Sequence, residues 1–232
     1  MNTLVIMAKH PVAGMVKTRL AASLGEAAAA GLAAAFLEDL LDRLHPCADR
    51  HVLATWPDNT AATTYFEELS ADRFELWNQP EGSLGERLAR VTTEHLGPDP
   101  HQRVVVIGSD SPTLPKETIE AAFVGLQQAD VVVAPADDGG YVLIGLRREV
   151  PGLFEPIEWS SPRVFAQTRE HLQSSCTRFI ELPGWYDIDT LDDLRRLDKE
   201  LGPEHPLGRA GGATRNGLDD LPHGWDFRSI DR

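Results

Sequence analysis

An α/β fold, with a mostly parallel central sheet covered on both faces as a three-layer sandwich, is predicted by three observations. Apolar runs of strand length alternate with amphipathic stretches of helix length along residues 3–201. The runs Val104-Val105-Val106-Ile107 and Val131-Val132-Val133-Ala134 are apolar throughout, as strands buried on both faces require. The spacing between runs leaves room for a crossover helix, which parallel neighbours need.

Thr3–Ala8 reads as the first strand. Glu26–Leu44 reads as a helix because Leu32, Phe36, Leu37, Leu40, Leu41 and Leu44 recur every three to four residues. His51–Trp56 is a second strand, Thr60–Leu69 a helix and Arg73–Trp77 a third, short strand. Leu84–Leu96 is helical, and Arg103–Ile107 is a buried strand. Pro115 suits a first helical turn, and the pattern runs on to about Gln128. Val131–Ala134 and Tyr141–Leu146 are strands. Ser160-Ser161-Pro162 reads as a cap and first turn for a helix ending near Leu172. Thr177–Leu182 is strand-like, and Thr190–Leu201 is a helix capped by Asp189 or Thr190.

Composition narrows the class. The chain has 232 residues, of which 42% are hydrophobic and 25% charged, a globular balance. No apolar run is long enough to span a bilayer, and the N-terminus lacks the pattern of a signal peptide. Cys47 and Cys176 read as thiols in a reducing cytoplasm rather than as a disulfide framework. The 22 basic and 36 acidic residues give a formal charge of −14, which argues against a nucleic-acid partner. Residues 202–232 hold six Gly and three Pro without periodicity. The expectation is one domain over 1–201 and a Gly/Pro-rich tail over 202–232, with Trp225 and Phe227 as anchors near its end.

Ligands in such sheets bind beyond the carboxyl ends of the strands, so the residues following strands matter most. Residues 1–25 carry Lys9, Lys17 and Arg19 and no acid. This +3 island lies in Ala8-Lys9-His10-Pro11-Val12-Ala13-Gly14-Met15-Val16-Lys17-Thr18-Arg19, a Pro/Gly loop suited to cradling phosphate. It is not a GxxxxGK[ST] loop. If extended, it points Lys17 and Arg19 to one side; a solvated basic loop is the plainer reading. Asp110 follows the buried strand in Gly108-Ser109-Asp110-Ser111-Pro112 and suits Mg²⁺ or Mn²⁺ on a diphosphate, or a helix cap.

Asp187 and Asp189 alternate in Trp185-Tyr186-Asp187-Ile188-Asp189-Thr190 and share a face if extended. Asp192 and Asp193 fit a helical first turn and need no other role. Asp137-Asp138-Gly139-Gly140 is either a hairpin turn or a loop whose backbone approaches a sugar or acceptor, with Asp138 accepting from hydroxyls. Gly82, Gly85 and Arg87, in Gln79-Pro80-Glu81-Gly82-Ser83-Leu84-Gly85-Glu86-Arg87-Leu88, could hold a base or ribose edge. The eight histidines show no zinc spacing, and no GxSxG or Cys–His signature occurs.

Taken together, AKHPVAGMVKTRL, EGSLGERL, GSDSPTLP, PADDGGYVLIGL, IEWSSPRVF and WYDIDTLDDL resemble a bacterial family of GT-A-like transferases. Its members are often labelled glycosyltransferases, some in arsenosugar biosynthesis. The set is similar, more distantly, to phospholactate guanylyltransferase and molybdenum-cofactor guanylyltransferase. The resemblance covers roughly residues 3–200 and implies the nucleotide-diphospho-sugar transferase fold. It implies nucleotide binding by Ala8, Lys9, Gly14, Lys17 and Arg19, and a metal on Asp110 with Asp189 and its neighbour Asp187. It also maps the family's DGG loop to Asp138, Gly139 and Gly140. Two departures stand out: the L-A-G-G-x-G-T-R loop of sugar-nucleotide pyrophosphorylases is absent, and the GT-A D-x-D is reduced to Asp110-Ser111-Pro112.

Three functions follow as expectations. The first is a Mg²⁺- or Mn²⁺-dependent glycosyltransferase that moves a sugar from a nucleotide-diphospho-sugar to a small acceptor, with Lys17, Arg19, Asp110 and Asp138 as the catalytic set. The second is a nucleotidyltransferase joining a nucleoside triphosphate to a phosphorylated acceptor. The third is a non-catalytic nucleotide-binding protein. A cytoplasmic protein without a membrane span is expected, and a homodimer stays open.

Overall fold

The computed structural model describes residues 1–97, 99, 101–201 and 212–221. The described chain forms two compact units. One comprises residues 1–10, 44–108 and 114–187; the other comprises 11–43, 109–113 and the residues from 188 onward.

The first unit holds a seven-stranded sheet. Its strands are β1 (Asn2–Lys9), β2 (Arg50–Trp56), β3 (Glu75–Asn78), β4 (Arg103–Gly108), β5 (Val131–Pro135), β6 (Tyr141–Leu146) and β7 (Phe179–Glu181). They lie in the order β3-β2-β1-β4-β6-β5-β7. All pairings are parallel except those of β6, which runs antiparallel to β4 and β5. Val5 stands opposite Val52 and Val106, and Val106 opposite Ile144, so the central strands align their apolar residues.

Helices α3 (Thr60–Ser70), α4 (Leu84–Leu96), α5 (Lys116–Gly125) and α6 (Val164–Ser174) complete this unit. Leu88 and Val91 of α4 and Leu172 of α6 pack with Val5, Val104, Val106 and Ile144 on one sheet face. Beyond the end of α5, Leu126 lies against Gly145, and Gly125 against Val132, on the other face. Full burial of each such side chain contributes roughly 1.5–3 kcal/mol, which is why the buried strands are nearly all Val, Ile and Leu. The mostly parallel sheet with helices on both faces agrees with the sequence expectation.

The second unit holds α1 (Thr18–Leu24), α2 (Glu26–Leu44), α7 (Leu191–Glu200) and α8 (Gly212–Asp219). Its pieces are joined by polar contacts between distant segments. Ile188 N donates to Asp110 O at 2.9 Å. The Arg43 guanidinium donates to the Pro112 carbonyl. The Asp39 carboxylate of α2 accepts from Ala213 N at 3.1 Å and Thr214 N at 2.8 Å, capping α8 from another helix.

Three elements differ from expectation, and the open choice between Asp189 and Thr190 as the cap of α7 falls to Thr190. Residues 17–19 are not extended: Lys17 is left-handed (φ 47°, ψ 45°), and Thr18 and Arg19 open α1. The helix expected after Ser160-Ser161-Pro162 starts at Val164 with no side-chain cap. Its Phe165 N–H is satisfied by the Gly139 carbonyl at 2.8 Å instead. The cap of α7 is Thr190, which closes a reciprocal box with Asp193 and leaves Asp189 outside the helix. Within the expected tail, α8 forms on its long-range cap, whereas Trp225 and Phe227 lie outside the described residues.

Candidate active site

Asp110 stands two residues beyond the end of β4, Lys17 at the N-cap of α1 and Asp189 just before α7. The structure brings these three together. The Lys17 ammonium forms a salt bridge with Asp110 Oδ1 and lies 3.1 Å from Asp189 Oδ1. The lysine side chain is only 3% exposed, while the two carboxylates are 51% and 42% exposed. Its ammonium also stands 5.8 Å from the centre of the Phe36 ring. Burial alone pushes Lys17 down; the charges and hydrogen bonds of Asp110 and Asp189 outweigh it and hold the amine above the ordinary lysine value. Lys17 is therefore a buried, charged ammonium facing two carboxylates that remain open to solvent.

Arg19 behaves differently. Its side chain is 73% exposed, and its guanidinium reaches Asp189 Oδ2 only at 4.0 Å. Lys17 and Arg19 thus do not form one cradle: the first is held in an ion cluster and the second projects into water. The loop between them and β1 closes as a turn, with Met15 N donating to Val12 O at 2.9 Å. The Glu26 carboxylate lies where a Cβ on Gly14 would meet it, at 3.1 Å.

The remaining predicted residues occupy the sheet-bearing unit. Ala8 is buried at the end of β1, and Lys9 is exposed beside it. The Gln79 amide, buried and not singled out from sequence, donates to Ala54 O at 2.7 Å and Ala8 O at 3.4 Å, fixing the ends of β1 and β2. Gly85 has a packing role: a Cβ there would stand 2.6 Å from Trp159 Nε1 and 2.8 Å from Phe154 O. Arg87 lays its guanidinium 4.0 Å from the centre of the Trp56 ring, and its Nε donates to Gly82 O at 3.1 Å. Gly82 and Arg87 thus shape the entrance to α4, whose cap is the reciprocal Ser83–Glu86 pair.

The Asp138 loop is a hairpin turn between β5 and β6. Asp138 Oδ1 accepts from Gly140 N at 2.9 Å, and Ala136 N donates to Gly140 O at 3.0 Å. Gly139 has φ 91°, and a Cβ there would fall 2.2 Å from the Pro162 carbonyl oxygen, so only glycine fits. Asp138 itself is exposed.

Among the described residues, no group of three or more His, Cys, Asp or Glu is placed to hold a metal. Of the expected Asp110, Asp187 and Asp189, the first and last meet at the Lys17 ammonium. Mg²⁺ and Mn²⁺ still fit what is present. Hard cations are commonly held by one or two carboxylates, with phosphate and water completing the shell. Asp110 and Asp189 offer such a pair, and they already converge on one cation, the Lys17 ammonium. Neither cysteine forms a disulfide, and no described helix is long and apolar enough to cross a membrane.

The sheet order with its single antiparallel strand, and a charged cluster beyond β4, define the class of nucleotide-diphospho-sugar transferases. A protein from Desulfovibrio desulfuricans G20, provisionally placed in that class, is 30% identical, with 95% of this chain and 96% of that one covered at a TM-score of 0.86. Residues 40–161 match the family DUF2064, described as an uncharacterized protein conserved in bacteria, and this chain belongs to that family.

A nucleotidyl transferase from Methanothermobacter shares the fold at 14% identity and a TM-score of 0.58, with 86% and 97% of the two chains covered. The 4-diphosphocytidyl-2C-methyl-D-erythritol synthase of Anaerococcus prevotii does so at 13% and 0.56, over 87% and 98%. Among curated proteins, none matches this chain. The family resemblance read from sequence and the transferase fold thus agree with these findings.

Proposed function

We propose that this protein is a metal-dependent glycosyltransferase that moves a sugar from a nucleotide-diphospho-sugar to a small acceptor in the cytoplasm. The observation that carries this reading is the Lys17–Asp110–Asp189 cluster beyond β4: a desolvated cation and two accessible carboxylates, the groups that diphosphate chemistry uses. The Desulfovibrio relative supports the choice of a nucleotide-diphospho-sugar as donor.

In this reading Lys17 and Arg19 bind the diphosphate, and Arg19 is exposed to reach it. Asp110 and Asp189 hold Mg²⁺ or Mn²⁺, which when bound supplies Lewis-acid stabilisation of the leaving diphosphate. Asp138 keeps one carboxylate oxygen outside its turn hydrogen bond and positions or deprotonates the acceptor hydroxyl.

A second reading is nucleotidyl transfer, in which an acceptor phosphate attacks the α-phosphorus of a nucleoside triphosphate and pyrophosphate leaves. One observation favours it. The second carboxylate, Asp189, comes from the far end of the chain rather than from position 112, where Pro112 replaces the second acid of a D-x-D. Calorimetry with Mn²⁺ against panels of nucleotide-diphospho-sugars and nucleoside triphosphates separates the two. Binding of a nucleotide-diphospho-sugar, followed by its turnover to a free nucleoside diphosphate, is the expected result. Binding of a triphosphate alone overturns the first reading in favour of the second, and binding of neither leaves a non-catalytic protein.

A further inference from the structure

The cation position between Asp110 and Asp189 is taken by the protein itself. Lys17 Nζ faces Oδ1 of each of the two acids that would hold a divalent ion, one in a close salt bridge and the other at 3.1 Å. A divalent ion must compete with the ammonium for those carboxylates. The two cations would be crowded together, and like charges at a few ångströms repel, the more so because the ammonium itself is buried. The ammonium cannot simply be dropped either, because its side chain is 3% exposed and needs acceptors wherever it goes. Phosphate oxygens are the acceptors that the proposed substrate brings.

Lys17 joins the loop to α1 in the left-handed region, which a non-glycine residue occupies at a cost. Its carbonyl accepts from Ala21 N at 2.8 Å, so this backbone state starts the helix and sets the aim of the side chain.

We propose that Lys17 is a built-in counter-ion that makes metal binding conditional on the nucleotide: diphosphate draws the ammonium off Asp110 and Asp189, and the freed carboxylates then take the divalent ion. The proposal rests on the reading that these two carboxylates hold the metal. Metal alone binds weakly to the resting protein, metal and diphosphate bind cooperatively, and each raises the affinity of the other by the same factor. The arrangement keeps the site from filling with metal when there is no substrate to activate.

The test measures Mn²⁺ binding by calorimetry and electron paramagnetic resonance, first with Mn²⁺ alone and then with inorganic pyrophosphate. Lys17→Met removes the charge and nearly keeps the volume; Lys17→Gln keeps a donor for the carboxylates and serves if the first variant fails to fold. The expected result is that either variant binds Mn²⁺ alone at least tenfold more tightly than the wild type, and that pyrophosphate strengthens Mn²⁺ binding by a smaller factor than in the wild type, the remainder coming from phosphate oxygens that ligate the metal directly. Unchanged or weaker Mn²⁺ binding in the folded variants overturns the proposal. Adding Asp110→Asn to the Lys17 variant separates this failure from that of the underlying reading. If Asp110→Asn abolishes Mn²⁺ binding while Lys17→Met does not tighten it, the carboxylates hold metal but Lys17 does not compete. If Asp110→Asn changes nothing, the metal assignment itself falls, and the proposal with it.

Discussion

Two ion clusters in this protein are built with opposite proportions. In one, the buried cation Lys17 faces two half-exposed acids. In the other, the buried acid Asp130, 7% exposed, faces three arginines. Arg147 lies 2.7 Å away, Arg148 3.0 Å and Arg178 3.9 Å, all partly in water. Asp130 also leads into β5, with its amide donating to Arg178 O and its carbonyl accepting from Arg147 N. Its carboxylate is therefore fixed by main chain and side chain alike. Lys17 hangs on four rotatable methylenes, and its partners are open to an incoming ion. A buried acid anchored this way holds strands in place, whereas a buried flexible cation between accessible acids can be exchanged. The first arrangement suits structure and the second suits ligand chemistry.

The sharpest test of that contrast is to remove one acid from each cluster. Asp110→Asn keeps size and hydrogen bonding but removes the charge a hard cation needs. Metal-dependent binding of diphosphate ligands is expected to fall about 100-fold, close to 3 kcal/mol, with a smaller loss of stability, because Asp189 and the Asn carbonyl oxygen still accept from the buried ammonium. Calorimetry with Mn²⁺ and a thermal melt on the same sample measure both. Loss of stability with intact binding would return Asp110 to a capping role.

Asp130→Ala should do the reverse. It leaves three arginines around a vacated buried position, at a cost of roughly 2 kcal/mol once their partial exposure is allowed for. In a chain of this size that lowers the melting temperature by about 4–8 °C. Diphosphate affinity should stay within twofold of the wild type. A fall in affinity as large as that of Asp110→Asn would erase the distinction between the clusters.

A gentler version uses pH. Burial pushes Asp130 up, but hydrogen bonds and charge from Arg148 and Arg147 outweigh it and hold its carboxyl below the usual aspartate range. The unfolded chain therefore binds this proton more readily than the folded one does. The stabilisation is present above the unfolded value of about 4 and is lost as pH falls through the lower folded value. Thermal melts between pH 6 and pH 2.5 should fall less steeply for Asp130→Asn than for the wild type. Parallel curves would mean that the arginines do not favour the charged form.

The same contrast explains what could be read from sequence. Strand runs such as Val104–Ile107 and the three-to-four spacing of Glu26–Leu44 depend on local periodicity, and the helix Glu26–Leu44 and the strand Tyr141–Leu146 were legible to the residue. Asp110 was legible as an acid after a buried strand, because topology places ligands there, and Asp189 as one of an alternating pair or a helix cap. The link that makes them a site was not. Lys17 reaches Asp189 across 172 positions, and nothing local marks it as the buried member. Short α1 was hidden for the same reason, since it starts from a left-handed lysine held by distant partners rather than from a capping residue. α8 depends on Asp39, 175 positions from Thr214, and so escaped a search for local caps. The buried Gln79 amide gives no sequence signal at all, because a glutamine after a strand is ordinarily solvated.

Arg19 carries the smallest expected effect and divides the two basic residues that look equivalent in sequence. Its side chain is 73% exposed, and its contact with Asp189 is long, at 4.0 Å. Exposed pairs of this kind contribute between nothing and about 1 kcal/mol, so Arg19→Ala should move stability by no more than about 0.5 kcal/mol. If the guanidinium meets phosphate as a charge-assisted donor, its loss weakens diphosphate binding about tenfold, or 1.4 kcal/mol. Arg19→Lys should recover only part of this, because an ammonium cannot present two parallel donors. Lys17→Met, by contrast, alters stability as well as binding, since it leaves Asp110 and Asp189 without their shared cation. Affinity for pyrophosphate, measured by calorimetry at low salt with Mn²⁺ present, together with a melt of each variant, gives the comparison directly. If Arg19→Ala binds as tightly as the wild type, the exposed arginine has no part in phosphate recognition. The nucleotide site would then rest on the buried Lys17 cluster alone.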